Sequence, residues 1–269
     1  MAVRFSDVSF SYDDNKVFDK FNCSLNDGII SAIVGPNGSG KSTFLDLLDG
    51  LLTPVSGNVK IGDVLVSSNV RKKIGYLFQF PEDQFFNSTV YKEIEFGLKS
   101  FGCDDIDKKI RDSINLVGLN ESFLSRNPYK ISNGERRKVC FASILCYDPD
   151  IIVLDEPTVG LDNASKDSLI KFLKKLKNEY GKTIIIVSHD ISFLHKFVDY
   201  VYLLKDGSIV LEGNKYDVFS NEEVMNECGL DVPFILHFSN LVYEKKGIKI
   251  GYRDHINDLI KDVYRYAKW

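Results

Sequence analysis

The sequence lacks the features of a secreted, disulfide-bonded or membrane-spanning protein. Its five cysteines are scattered, odd in number and without a CxxC pair, which argues against a disulfide framework or a zinc site and is typical of a reducing cytosol. No apolar run approaches the length of a membrane span, and residues 1–7 lack the apolar core of a signal peptide. We therefore expect any role at a membrane to depend on a partner.

Extended basic stripes are also missing. The basic runs at residues 71–73 and 136–138 are short and have no interleaved aromatics, so we interpret both as solvated surface and expect no nucleic-acid partner. The chain has 269 residues, is 44% hydrophobic and carries a mild net charge of −4. That length and composition predict one large domain with a sizeable core plus an appendage.

The best-defined motif is Gly35–Ser42, which fits the phosphate-loop pattern GxxxxGK[ST] without a gap. An apolar run at 29–34 predicts a buried strand before it, and residues 43–48 predict an apolar helix face after it, which is the context the motif requires. In such a loop Lys41 reaches the β- and γ-phosphates and the Ser42 hydroxyl binds Mg²⁺. The predicted phosphate-binding residues are Gly35, Pro36, Asn37, Gly38, Ser39, Gly40, Lys41, Ser42 and Thr43.

Hydrophobic periodicity predicts an α/β fold around this loop. Alternation over residues 8–12 indicates an opening antiparallel layer, and the runs 59–61 and 64–66 indicate another such layer. The remaining predicted elements are a strand at 74–78, a helical insert over about 88–147, strands at 151–154 and 183–187 with a helix at 161–180 between them, a hairpin of 201–204 and 208–211, and helices at 218–228, 233–243 and 256–266. In the insert, we place Val90, Ile94, Phe96 and Leu98 among the apolar positions of the first helix.

Two acidic residues, Asp155 and Glu156, close the predicted strand at 151–154. Open parallel sheets bind ligands at the carboxyl ends of their strands. Asp155 is suited to holding Mg²⁺, and Glu156 to orienting and polarising the water that attacks a phosphoanhydride. A solvated turn is the alternative for two adjacent acids, but the phosphate loop favours the Mg²⁺ and water roles.

The segment Ile131-Ser132-Asn133-Gly134-Glu135 predicts a helix N-terminus. Ser132 can cap the helix, Glu135 can complete a capping box, and Asn133 and Gly134 tolerate unusual backbone angles. At this point the residues resemble the signature of ATP-binding-cassette (ABC) ATPases, which is commonly LSGGQ. Further motifs follow the family order: Tyr12 as the adenine-stacking aromatic, Gln79 as the Q-loop, Asp162 in the D-loop and His189 as the switch histidine.

The resemblance implies a fold and a set of roles. Residues 1–215 would form a P-loop NTPase domain with a RecA-like core, an antiparallel β subdomain and a helical subdomain at about 88–147, and residues 216–269 a C-terminal helical extension. Catalysis would use Glu156, His189 and Gln79, and Mg²⁺ would use Ser42, Gln79 and Asp155. ATP held by the loop of one subunit would be completed by Ser132, Gly134, Glu135 and Asp162 of another, so a lone chain should hydrolyse poorly.

Two further stretches narrow the resemblance. Residues 79–86, QFPEDQFF, and the segments 213–219 and 229–233 with the apolar helix after them are similar to the A components of energy-coupling-factor (ECF) importers and their cobalt and nickel relatives. That group implies an ATPase at the cytoplasmic face of the membrane, with a second ATPase, a transmembrane scaffold (T component) and a substrate-binding S component as partners. The tail would help to hold the two ATPases together. Glu82 and Asp83 would contact basic coupling helices, or form a solvated loop.

Alternatives remain open. A soluble ABC ATPase acting on nucleic acid or ribosomes is one, although the single cassette and the short segment between Lys41 and Asp155 argue against it. A weakly hydrolysing regulatory subunit is another, because Asn133 replaces a glycine of the signature and its side chain could crowd the γ-phosphate, even though Asn adopts the left-handed conformation readily. The sequence leaves open whether the solute is a vitamin or a transition-metal ion, and whether the two ATPases are identical.

Overall fold

The computed structural model describes residues 3–266, so residues 1, 2 and 267–269 of the two predicted domains lie outside it. In this range the strands are β1 (Val3–Tyr12), β2 (Asn15–Leu25), β3 (Ile30–Val34), β4 (Ser56–Ile61), β5 (Val64–Leu65), β6 (Ile74–Leu77), β7 (Ile151–Asp155), β8 (Thr183–Val187), β9 (Tyr200–Lys205) and β10 (Ser208–Asn214). The helices are α1 (Lys41–Asp49), α2 (Val90–Ser100), α3 (Ile106–Leu116), α4 (Asn133–Leu145), α5 (Asn163–Tyr180), α6 (Ile191–Leu194), α7 (Lys215–Phe219), α8 (Glu222–Glu227), α9 (Phe234–Lys246) and α10 (Ile256–Tyr266).

The main sheet has six strands in the order β10-β9-β3-β8-β7-β6. Its five strands from β9 to β6 run parallel, and β10 turns back antiparallel to β9. Every residue of β3 and β8 is buried, which is the pattern of strands covered on both faces. The predicted parallel strands and the terminal hairpin are confirmed. Because these strands are parallel, the carboxyl ends of β3, β7 and β8 lie at the same edge of the sheet.

The antiparallel strands form one sheet, whereas the sequence predicted two layers. Its order is β2-β1-β4-β5, because the central strand β1 pairs with β2 on one side and with β4 on the other. Val3 of β1, for example, faces Leu25 of β2 and Ile61 of β4. The sheet packs on α1, where the rings of Phe5 and Phe44 stack with centroids 4.4 Å apart. This contact fixes the helix that follows the phosphate loop.

Helices α2, α3 and α4 lie between β6 and β7 in the chain. In α2, Val90, Ile94 and Leu98 are fully buried, as their spacing of four residues predicts. The prediction was wrong for Phe96, which is 54% exposed. Two residues along a helix turn a side chain towards the opposite face, so Phe96 cannot share the buried stripe.

The C-terminal segment packs onto the main sheet. A single helix was predicted over residues 218–228, but the structure has the two short helices α7 and α8, because the Asn221 side chain caps α8 by accepting from the Val224 N–H at 3.2 Å. Val218, Phe219 and Met225 are fully buried in the same core as the sheet. The boundary near residue 215 therefore stays a prediction. Across residues 3–266, no helix combines the length and apolarity that a membrane crossing needs.

Candidate functional site

The phosphate loop joins β3 to α1 at the carboxyl edge of the main sheet. Gly40 is the N-cap of α1, with φ 105° and no side-chain cap, and the first turn of the helix has no acidic residue. The first N–H groups of a helix have no intrahelical acceptor, and the helix dipole makes this end positive. The loop thus presents uncapped donors to an anion, as a phosphate cradle requires.

Two glycines show why this segment needs its sequence. A Cβ added to Gly35 would lie 2.0 Å from the Leu204 carbonyl oxygen, so only glycine fits against β9. Gly38 has φ 78°, with open space where a Cβ would stand, and it is exposed. Gly35 therefore fixes the packing of the loop, whereas Gly38 opens its outer surface to a ligand.

Lys41 lies across the loop. Its ammonium donates to the carbonyl oxygens of Gly35 at 2.8 Å and Pro36 at 2.7 Å. Burial lowers the pKa of Lys41, and the nearby carboxylates of Glu156 and Asp155 oppose that shift. The lysine and the two acids are thus close enough to interact electrostatically, as the motifs predict.

Asp155 is the last residue of β7 and is partly buried. Burial, with the charges of Glu156 and Asp46, raises the pKa of Asp155 to about 6 from its ordinary value of 3.8, and Lys41 opposes the shift. A divalent cation would favour the charged carboxylate. No cluster of three or more His, Cys, Asp or Glu suited to a metal occurs within residues 3–266, so a cation here must take other ligands. This donor set fits Mg²⁺, which commonly binds through one or two protein oxygens, substrate phosphates and water.

Glu156 has a positive φ of 46°, unusual for a residue with a side chain. Its carboxylate accepts from the Ser188 hydroxyl at 2.9 Å and from the His189 N–H at 3.1 Å. The His189 ring nitrogen Nδ1 lies 2.8 Å from Oε1 of the same carboxylate. The His189 side chain is otherwise 69% exposed, so Nε2 is open to a ligand. If Nδ1 donates to Glu156, neutral His189 can only accept at Nε2, since a neutral imidazole has one N–H.

The signature residues form the predicted capping box. The Ser132 hydroxyl accepts from the Glu135 N–H at 3.4 Å, and the Glu135 carboxylate accepts from the Ser132 N–H at 2.8 Å. The Ser132 hydroxyl also donates to the Glu135 carboxylate at 2.7 Å, and this bond, with the one from the Ser132 N–H, lowers the pKa of Glu135. Asn133 and Gly134 tolerate unusual backbone angles, but neither has a positive φ here. Both belong to α4 and are exposed, so what Asn133 adds is a side chain at an open helix end.

The D-loop residue Asp162 caps α5 and accepts from the Ser165 N–H at 2.7 Å, a bond that lowers the pKa of Asp162. A cavity of about 590 Å³ joins this region to the signature. Ser132, Gly134 and Glu135 line one side of it, and Leu161, Ala164 and Ser165 another. None of residues 35–43 lines that cavity. The structure thus brings the signature beside the D-loop and leaves the phosphate loop outside that group.

Tyr12 and Gln79 are both exposed. Tyr12 closes the β1–β2 hairpin opposite Asn15 and is 46% exposed, so it is not a core aromatic. Further along β2, the Phe18 ring would lie 3.1 Å from a Cβ at Gly40, which places this hairpin against the phosphate loop. Gln79 follows the end of β6, where several exposed aromatic side chains occur: Phe78, Phe80, Phe86 and Phe96.

Sequence reasoning missed two groups around the site. Arg137 was interpreted as solvated surface, but it is 8% exposed and donates to the carbonyl oxygens of Pro157 at 2.9 Å and Val159 at 3.3 Å. These bonds tie the signature helix to the segment after Glu156. Ser188 is fully buried beside Glu156, although only its neighbour His189 was given a role. Both contacts join distant parts of the chain, so no local sequence pattern predicts them.

Comparisons with known proteins agree with this geometry. The ABC transporter family model matches residues 18–159. The energy-coupling factor transporter ATP-binding protein EcfA2 of Clostridium perfringens is 36% identical over 251 residues, covering 88% of this chain and 88% of that protein. The EcfA2 protein of a Bacillus cereus strain is also 36% identical, over 265 residues covering 93% of this chain and 90% of that protein.

Solved structures give the same result. The cbiO1 protein from Clostridium perfringens, part of the ABC transporter complex cbiONQ, superposes with a TM-score of 0.76 at 30% identity over 88% of this chain and 98% of that one. A bacterial ABC transporter cassette, solved as a dimer, gives a TM-score of 0.69 at 28% identity over 79% of this chain and 98% of that one.

Proposed function

The chain belongs to the ABC transporter family as the ATP-hydrolysing subunit of an energy-coupling-factor type importer, and we propose that it powers uptake of a vitamin or a transition-metal ion through separate membrane components. The family resemblance and the α/β fold class drawn from the motifs are confirmed. One observation carries the proposal: Lys41, Asp155, Glu156 and His189 meet at one edge of the parallel sheet, with exposed aromatics after the neighbouring strand β6.

The residues at this edge of the sheet have separate roles in ATP binding and hydrolysis. The uncapped start of α1 and Lys41 hold the phosphates, and Tyr12 provides a face for the adenine. Glu156 orients the attacking water and accepts its proton, while the exposed His189 ring leaves that carboxylate and donates from an N–H to the γ-phosphate. Ser42, Asp155 and Gln79 would hold Mg²⁺, which would supply neutralisation of the charge that develops on the phosphate oxygens.

The working unit is a pair of ATPases. Ser132 and Gly134 are exposed at the start of α4, where a second subunit can bring its nucleotide against the capped N-terminus of the signature helix. Glu135 fixes Ser132 through the capping box, and Asp162 fixes the D-loop beside it. Each nucleotide is then held between the loop of one chain and the signature of the other.

Membrane coupling is assigned to the exposed aromatic side chains after β6. The rings of Phe86 and Phe96 meet edge to face at 4.8 Å, and the Tyr129 hydroxyl donates to the Phe85 carbonyl nearby. Glu82 adds a carboxylate oxygen that is buried without a hydrogen-bond partner. Such a surface suits a coupling helix that carries an apolar face and a basic residue, as a T component supplies.

The extension is assigned to contact between the two ATPases. It is anchored on α7, where Asp254 accepts from Lys215 and from the Tyr216 hydroxyl, both at 2.6 Å. Helices α9 and α10 still expose apolar side chains, namely Phe234, Leu241, Tyr243, Ile256, Ile260, Tyr264 and Tyr266. A second, similar subunit would cover this surface, and the assembly would sit on the cytoplasmic face of the membrane.

Co-purification and reconstitution test the proposal. Tagged chain is purified from detergent-solubilised membranes, its partners are identified by mass spectrometry, and ATP-driven uptake is assayed in vesicles with a panel of vitamins and of Co²⁺ and Ni²⁺. We expect a scaffold and a substrate-binding protein to co-purify, and Phe86→Asp to release them. Tyr180→Asp, at an exposed aromatic on α5, is the matched control. Recovery of nucleic acid or ribosomes in place of membrane proteins would overturn the assignment.

A further inference from the structure

The hydroxyl of Ser188 has its direction fixed by its neighbours. The side chain is fully buried after β8, and its oxygen accepts from the Asp190 N–H at 3.1 Å. Its single proton points to the Glu156 carboxylate, whose Oε2 lies 2.9 Å away. A buried donor aimed at a charged acceptor makes a strong bond and holds that acceptor in one orientation.

Glu156 needs such a restraint. Its φ of 46° is sparsely populated for a residue with a Cβ, and such a conformation persists only where surrounding contacts impose it. The backbone N–H of Glu156 donates to the Val187 carbonyl at 2.8 Å, and Ser188 follows directly on the same strand end. The His189 ring, the other side-chain partner of the carboxylate, is exposed and would turn towards a phosphate. Ser188 is then the buried side-chain donor that stays on this carboxylate, beside the backbone N–H of His189 at 3.1 Å.

The loop that carries Ser188 is in turn tied to the start of α5. Asp190 caps α6 through the Phe193 N–H at 2.9 Å, and its second oxygen pairs with Lys166 at 2.5 Å. Lys166 lies on the first turn of α5, where its N–H donates to the carbonyl of the D-loop residue Asp162 at 2.9 Å. A continuous line of bonds therefore runs from the D-loop helix through Asp190 and Ser188 to Glu156.

We propose that Ser188 is a positioning residue for Glu156, and that the Lys166–Asp190 ion pair links this position to the D-loop helix of the same subunit. The inference rests on the proposed role of Glu156 as the residue that activates water. When ATP closes the dimer on the D-loop, movement of α5 reaches Glu156 through this line. Without this line of bonds, the Glu156 carboxylate is no longer held in the orientation that water activation needs.

Steady-state kinetics of the assembled importer test the proposal. Ser188→Ala is expected to lower kcat about tenfold, since a hydrogen bond to a charged group is lost, while KM for ATP changes less than about twofold. Ser188→Thr keeps the hydroxyl and should recover most of kcat. Lys166→Met is expected to lower kcat about threefold, because the ion pair acts one step further away. The matched controls are Ser192→Ala and Lys171→Met, at exposed positions of α6 and α5.

A double-variant comparison separates positioning from simple structural support. In a Glu156→Ala background, Ser188→Ala should cost nothing further in residual hydrolysis, whereas a general loss of structure would lower it again and lower nucleotide binding too. An equal loss in both backgrounds, or a Ser188→Ala enzyme that behaves like Ser192→Ala, would overturn the positioning role. Full hydrolysis by Glu156→Gln would instead overturn the role of Glu156, so the two failures are distinguishable.

Discussion

The carboxyl edge of the main sheet and the signature face are built in opposite ways. At the sheet edge, Lys41 donates to carbonyl oxygens of its own loop, and the Glu156 carboxylate accepts from Ser188 and His189 at the end of the neighbouring strand. At the signature face, Ser132 and Glu135 bond mainly to each other, and both Asn133 and Gly134 are exposed. The groups at the sheet edge are held in place within one chain. The signature face is a capped helix N-terminus, and none of residues 35–43 lines the cavity beside it.

The difference agrees with the proposal that each nucleotide is shared between two chains. The capping box satisfies the α4 N-terminus without any ligand, so the signature is stable in the isolated subunit. At the sheet edge, burial and then the charges of Glu156 and Asp46 raise the pKa of Asp155, and a bound cation would offset these effects. Variants at the edge should therefore act within the chain, and variants at the signature only after assembly.

The largest effect is expected at the edge, from Glu156→Gln. The amide keeps an oxygen that can accept from Ser188 and His189 but cannot accept the proton of the attacking water, so turnover should fall about a thousandfold while ATP binding is kept. Phosphate release by the assembled importer and equilibrium dialysis with ATP measure the two quantities, and we also expect the closed dimer to accumulate. The control is Glu179→Gln, at an exposed position near the end of α5. Hydrolysis at the normal rate would remove Glu156 from the mechanism.

Gly134→Ala tests the signature face in the same way. Position 134 is helical and a Cβ there meets nothing within 4 Å, so alanine should stabilise the chain by about 0.5–1 kcal/mol. If the partner's phosphate approaches this backbone, the added methyl should lower turnover of the complex about thirtyfold. We expect a higher Tm together with lower ATPase activity.

Gly97→Ala is the matched control, because this helical position in α2 also has room for a methyl, with a Cβ 3.6 Å from the Ser143 carbonyl. It should raise Tm without changing turnover. A Gly134→Ala complex with normal turnover would show that the signature does not meet the partner's nucleotide.

A third prediction concerns the pH dependence of stability at Asp155. Its folded-state pKa of about 6 lies above the ordinary 3.8, so the folded chain favours the protonated carboxyl. The contribution of Asp155 to the free energy of unfolding is therefore fully present below about pH 4, and it is lost as the pH rises through about 6. The difference corresponds to about 3 kcal/mol, which we reduce to about 1.5 kcal/mol for solvent screening.

Asp155→Asn should therefore raise the free energy of unfolding by about 1.5 kcal/mol at pH 8 and by little at pH 4, while hydrolysis with Mg²⁺ is lost. Urea unfolding at the two pH values measures the effect. Asp150→Asn, at an exposed position just before β7, should show no such change. Equal shifts at both pH values would mean that folding does not raise the pKa of Asp155.

Local patterns in the sequence predicted which residues lie at the carboxyl edge of the main sheet, but they did not predict the contacts around those residues. The phosphate loop, the acids after β7 and the histidine after β8 all follow short buried strands, and parallel strands bring such ends together. The single antiparallel sheet was not predictable, because the pairing of β1 with β4 spans the loop and α1. Arg137 and Ser188 were missed for the same reason, since burial by distant segments leaves no local periodic signal.

The smallest effect is expected from Asn133→Gly, which restores the glycine common in ABC signatures. Because Asn133 is the first residue of α4 and has a helical backbone, glycine gains nothing in conformation and should cost a few tenths of a kcal/mol in stability. If the amide crowds the partner's γ-phosphate, turnover of the complex should rise about twofold, while ATP binding to the isolated chain stays the same. Single-turnover hydrolysis measures this, with Asn178→Gly at an exposed site on α5 as the control. An unchanged rate would show that Asn133 points away from the nucleotide, and that the signature face tolerates a side chain at 133 but not at 134.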